Sequence, residues 1–159
     1  MKSFTLMLMG LSMILTNSLF AKSRVEKVSK DWMVYHIIDD FDDSKSCIVL
    51  TTNRKPNITI FLKEKKAVAS ISDNINGIGM LYRVDKNKSV ELGYKRHSET
   101  RYNIYPIEGD EYSKMIESFK KGNKLVYKVY SSNQFIHNKT GKITLKGFTK
   151  AYNIAKECK

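Results

Sequence analysis

The chain carries two cysteines, Cys47 and Cys158, and the second closes a stretch that constrains everything before it. Lys142 to Cys158 reads KITLKGFTKAYNIAKEC. Ile143 and Leu145 alternate as in a short strand and Gly147 breaks the alternation. Phe148, Ala151, Tyr152, Ala155 and Cys158 then recur at i, i+3, i+4, i+7 and i+10, which is one face of an α-helix. Isolated helices below roughly 12–15 residues are marginal in water, so the Phe148–Cys158 face has to dock on a sheet. Cys47 opens an early apolar run, CIVLTT. A bond between the two cysteines would tie the end of the fold to its beginning.

Whether that bond forms depends on the compartment, and the first residues speak to it. Lys2 supplies a positive n-region, Phe4 to Leu15 an apolar core, and Ser18 to Ala21 a cleavage site, with Leu19 less typical than a small residue. Residues 1–21 therefore read as a secretory signal peptide, and 22–159 as one exported β-rich domain. The competing reading is an uncleaved anchor, for which the apolar run is short. No cysteine sits at the cut to carry a lipid. In an exported chain a single cysteine pair reads as a Cys47–Cys158 disulfide. The alternative is two unpaired buried thiols, and two cysteines without paired histidines do not make a zinc set.

Lys22 to Lys30 is polar and reads as a loose leading segment. Trp32 to Ile38 and Cys47 to Thr52 are strand-like, joined by the acidic turn DDFDD at Asp39 to Asp43, and so form a hairpin. Further strands are expected at Ile58–Lys63, Ala67–Ser72, Gly79–Val84, Val90–Tyr94, Arg101–Ile107 (ending at Pro106) and Lys124–Ser131, with a short extension at Gln134–His137. Between them the period changes. Tyr112, Met115, Ile116 and Phe119 form a helical stripe, with Asp110 as its N-cap, Lys120 and Lys121 at its end and Gly122 as a left-handed cap. About eight or nine short strands and two helices, one of them C-terminal, predict a mainly β fold: an antiparallel sandwich or strongly bent sheet.

Little in the chain points to a reaction. His36, His97 and His137 stand far apart without HExxH or HxH spacing, and no serine sits in a GxSxG elbow. No catalytic residue, cofactor or metal ligand is expected, and the chain is read as a non-enzyme. The DDFDD cluster lacks the spacing of a calcium loop and reads as a solvated hairpin tip. A formal net charge of +12 is the strongest remaining feature. Lys63, Lys65, Lys66, Lys86, Lys88, Lys120, Lys121 and Lys124 read as scattered over the turns, with exposed tyrosines Tyr94, Tyr102, Tyr105 and Tyr130 among them. In an exported protein this suits a protein or anionic envelope partner rather than specific nucleic acid. It also suits a merely soluble, lysine-rich surface.

Several pieces together resemble the bacterial invasion-associated locus B family of exported proteins. They are the DW-M-V strand at Asp31 to Val34, Cys47 opening the second strand, the Arg83-Val84-Asp85 run, KKGNKLVYKVY at Lys120 to Tyr130, and the closing ITLKGFTKAYNIAKEC. The resemblance implies an all-β exported protein of Gram-negative bacteria, associated with host-cell contact, with no catalytic site and no functional residue to carry over beyond the Cys47–Cys158 pair. The leading expectation is a periplasmic or secreted, non-enzymatic binding protein, without a membrane span after processing. The alternative is a periplasmic inhibitor or immunity protein that neutralises an enzyme such as a lysozyme or effector hydrolase.

Processing is directly testable. Intact-mass analysis of the protein from its host is expected to show a species beginning near Lys22, outside the cytoplasm. Full-length chain bearing Met1 in a soluble cytoplasmic fraction would overturn export.

Overall fold

The computed structural model describes residues 23–52, 57–71, 77–93, 95–96, 103–131 and 139–158. Residues 1–21, read above as a signal peptide, lie outside them, as do Tyr94, Tyr102, His97, His137 and the Gln134–His137 extension. The fold is mainly β: two antiparallel sheets in a sandwich-like arrangement, with two helices. A meander opens the larger sheet with β1 (Ser23–Lys27), β2 (Trp32–Ile38), β3 (Lys45–Thr51), β4 (Asn57–Phe61) and β5 (Lys66–Ile71). The chain then builds part of the second sheet with β6 (Gly77–Val84) and β7 (Val90–Leu92), and returns through β8 (Lys95–Arg96) and β9 (Asn103–Ile107). Helix α1 (Gly109–Lys121) leads to β10 (Lys124–Ser131), β11 (Lys139–Thr144) and α2 (Phe148–Lys156). Spatial order is β1-β2-β3-β4-β5-β9-β8 in one sheet and β11-β10-β6-β7 in the other.

Period-two alternation decides which side chains turn inward. From the larger sheet these are Trp32, Val34, Cys47, Val49, Ile58, Ile60, Ala67, Ala69, Tyr105 and Ile107. From the smaller sheet they are Met80, Tyr82, Val84, Leu92, Leu125, Val129 and Ile143, all of them buried. Tyr105 is thus a core residue, not the exposed surface tyrosine expected from its lysine-rich surroundings. Burial, then the Glu111 carboxylate, pushes the Tyr82 phenol up to about 12, so it stays a neutral part of the core.

Both helices bury the stripes expected of them: Tyr112, Met115, Ile116 and Phe119 from α1, and Phe148, Ala151 and Ala155 from α2. α2 lies on β2 and β3, with α1 beside it. Three fully buried rings meet where the helices join the sheet. Phe148 packs edge-on to Trp32 at 4.8 Å and to Phe119 at 5.3 Å between ring centroids, and Trp32 and Phe119 are 6.1 Å apart. Each such pair adds about 0.5–1.5 kcal/mol beyond its area burial.

Two acidic residues from the resembling motifs prove to be latches. The buried Asp31 accepts the Thr144 backbone N–H on Oδ2 at 2.8 Å, while the neighbouring Trp32 indole donates to the Thr144 carbonyl at 2.7 Å. One dipeptide at the start of β2 thereby holds both polar groups of the last residue of β11. Asp85, at φ 53°, accepts the backbone N–H groups of Asn123 and Lys124 at 3.0 Å each, fixing the turn between α1 and β10.

Four local expectations differ. Ser23–Lys27 is an edge strand rather than a loose leader: its side chains are mostly exposed, but its backbone pairs with β2. Pro106 lies inside β9 opposite Val68, where the two-residue β8, paired only at Ile104 and Asn103, leaves that edge without a donor to satisfy. α1 begins at Gly109, with Glu108 at the cap and Asp110 in the first turn. Gly122 is not left-handed, its φ being −87°; a Cβ there would strike Val84 and press on Leu145, so close packing is what requires glycine. Among the described residues the glycines at positive φ are Gly109, at 60°, which opens α1, and Gly147, at 92° and packed against Ser29, which turns the chain into α2.

Replacing Asp31 by Ala would leave the Thr144 N–H without its charged acceptor. Denaturant unfolding is expected to show a loss of about 1.5–3 kcal/mol, with the disulfide still formed. A loss near zero would mean the latch is dispensable.

Candidate functional site

The Cys47–Cys158 disulfide is present, with Cα atoms 5.9 Å apart across 111 residues of sequence. The β2–β3 hairpin brings Cys47 to the inner face of the sheet, and the turn after α2 delivers Cys158 above it. The DDFDD tip that sets this hairpin closes on itself. Asp39 accepts the Phe41 N–H at 2.8 Å and Asp42 the Ser44 N–H at 2.9 Å. The Ser44 side chain first, and then its backbone N–H, hold the Asp42 carboxyl below its ordinary range. Phe41 stands at the tip, 98% exposed.

The disulfide forms part of the floor of an open groove of about 830 Å³ between the β2–β3 hairpin, the β4–β5 turn and the two helices. Its apolar lining from the inner face is Leu62, Tyr112, Ile116, Tyr152 and Ala155, with Ile37, Ile48 and Phe61 contributing from strand positions of the opposite parity to Cys47. Burial, then the neighbouring Tyr152, holds the Tyr112 phenol protonated, well above its ordinary value. Five lysines rim the groove, Lys45, Lys63, Lys65, Lys120 and Lys156, against Glu64 and Glu117. Glu117 is already bonded to Lys121 at 2.5 Å, and that bond holds its carboxyl below the ordinary range. Lys120 sits 4.0 Å over the Tyr152 ring, within cation–π reach. Of the lysines that read as scattered, Lys63, Lys65 and Lys120 meet here with Lys45 and Lys156, from four separate elements that tertiary folding brings together.

Among the histidines the structure describes only His36, and it is not isolated. The β2–β3 register sets it opposite Cys47, with Nδ1 3.1 Å from Cys47 Sγ and Nε2 3.3 Å from Glu26 Oε2. The ligand atoms of His36, Cys47 and Cys158 lie within 4.8 Å of one another. The sulfurs are joined to each other, however, and so are not the thiolates a metal would take. The sequence carried a signal for this pair. A hairpin closed at Ile38 and Lys45 must place His36 across from Cys47, whereas Glu26 belongs to an edge strand that no pattern announced.

No protein-family profile matches the sequence, and no curated protein resembles it in sequence. In three dimensions the fold is similar to the crystal structure of invasion associated protein B from Bartonella henselae. The TM-score is 0.61 at 16% sequence identity, covering 84% of this chain and 96% of that one. The likeness is one of fold. Among the described residues no helix is long and apolar enough to cross a membrane.

The loop closed by the disulfide is long enough that the bond should contribute about 4–5 kcal/mol in the chain-entropy model. Cys158→Ser is expected to lower the melting temperature under oxidising conditions, and reductant should bring the wild type to the same value. Equal melting temperatures for oxidised wild type and variant would remove the bond from the stability of the fold.

Proposed function

We propose that this is an exported, non-enzymatic binding protein, periplasmic or secreted, that holds an acidic, apolar-bearing segment of a partner protein in the lysine-rimmed groove. The observation that carries the reading is the groove itself: five lysines around a lining that includes the apolar Leu62, Ile116 and Tyr152. An open trough suits an extended peptide better than an acyl chain, which would need enclosing apolar walls. The fold's likeness to an invasion-associated protein supports a role in host-cell contact, and the signal-like residues 1–21 support export.

The exposed tip favours a second reading, that of an inhibitor. A rigid hairpin end with one ring flanked by Asp39, Asp40, Asp42 and Asp43 has the form of a plug for a cleft lined by cations, such as that of a basic lysozyme or effector hydrolase.

A fluorescent peptide of alternating Glu and Phe separates these readings. Binding is expected to weaken about tenfold in the Lys120→Gln, Lys156→Gln double variant and to be untouched by Phe41→Ser. Raising salt to roughly 1 M shortens the screening length from about 8 Å to about 3 Å, and should leave a residual affinity from the apolar floor that a Glu–Ser peptide lacks. Binding that vanishes with salt for both peptides would reduce the groove to diffuse charge. Binding of a basic cell-wall hydrolase lost in Phe41→Ser would favour the inhibitor.

A further inference from the structure

The disulfide on the groove's floor has surroundings that a purely structural cross-link does not require. His36 places Nδ1 3.1 Å from Cys47 Sγ and Nε2 3.3 Å from Glu26 Oε2. A disulfide sulfur carries no hydrogen, and an ionised carboxylate only accepts. In its doubly protonated form the ring can donate to both neighbours, with one N–H pointing at Cys47. The two sulfurs also differ in access. Both line the groove, but Cys47 is only 8% exposed, whereas Cys158, beyond the end of α2, is the less buried of the two.

We infer that the Cys47–Cys158 bond is a site of thiol–disulfide exchange, in which an anionic thiol drawn into the lysine-rimmed groove attacks Cys158 and Cys47 departs with a proton from His36. The thiolate's electron pair forms the new bond to Cys158 Sγ. The Cys158–Cys47 bond breaks, its pair leaves on Cys47 Sγ, and that sulfur takes the Nδ1 proton. One disulfide replaces another, so the step needs no separate oxidant or reductant. Exchange is faster when the departing sulfur is the weaker base, and an adjacent N–H provides this for Cys47 alone. Glu26 orients the ring and balances its charge. The outcome is a mixed disulfide on Cys158, a stoichiometric modification rather than turnover. Phe148 and Ala151, fully buried, anchor α2 to the sheet at the end away from the disulfide. The choice of an anionic thiol rests on the groove reading above; the chemistry at sulfur does not.

The oxidised, processed protein is incubated with glutathione, which is anionic, and with cysteamine, which is cationic. Each rate is normalised to the same thiol's rate with a small aromatic disulfide, and adducts are located by intact mass and peptide mapping. One glutathione is expected on Cys158, with exchange slowed about tenfold or more in His36→Gln and to a smaller degree in Glu26→Gln, circular dichroism being unchanged. Glu26 is a surface residue, its side chain 37% exposed, so its variant carries the test should His36→Gln fail to fold. No adduct, an adduct on Cys47, or wild-type rates in both variants would overturn the exchange site. His36-dependent exchange at equal normalised rates for the two thiols would uphold the sulfur chemistry and overturn the groove's preference for anions.

Discussion

Thr144 is held on both sides at once, and the sandwich depends on that grip. Its N–H goes to the Asp31 carboxylate and its carbonyl receives the Trp32 indole, so the strand that ends the smaller sheet is fastened to the residues that begin β2. A buried carboxylate and a buried indole each need a partner, and here each finds it on the same residue. The Trp32 ring is thereby presented to Phe119 and Phe148, and the two helices can seal the core only around a ring already in place. Groove, disulfide and hairpin all stand on this corner of the molecule.

The same corner explains why the most polar device of the fold sits beside its most apolar one. β2 turns Trp32 and Val34 fully inward, and its next inward position, His36, falls where the helices no longer cover the sheet. There the inner face opens to water, and a histidine, a glutamate and a disulfide take over from aliphatic packing. The groove is thus the mouth of the core, and its lysines are the rim that the two helices, the hairpin and the β4–β5 turn share.

What could be read from the chain follows what each feature depends on. The alternations of Ile58 and Ile60 and of Leu125 and Val129, the stripe from Tyr112 to Phe119 and the closing helix were legible because burial imposes a period on sequence. The disulfide was legible because two cysteines admit one pairing. β1 was not, because an edge strand is held by backbone pairing and its exposed Arg24 and Val25 carry no alternation. Gly122 reads in the sequence as a left-handed cap, although what it answers to is Val84, a residue distant in sequence. Lys45, Lys63, Lys65, Lys120 and Lys156 look scattered because only tertiary folding makes them neighbours.

The span of the disulfide has a consequence for the order in which the molecule becomes itself. Cys47 and Cys158 are separated by 111 residues, and Trp32 waits equally long for Phe148. A chain growing at roughly 5–20 residues per second completes the β2–β3 hairpin many seconds before its cover is made. Until then Trp32 and Cys47 have no partner to cover them, and the last-made helix is the clasp that completes the fold.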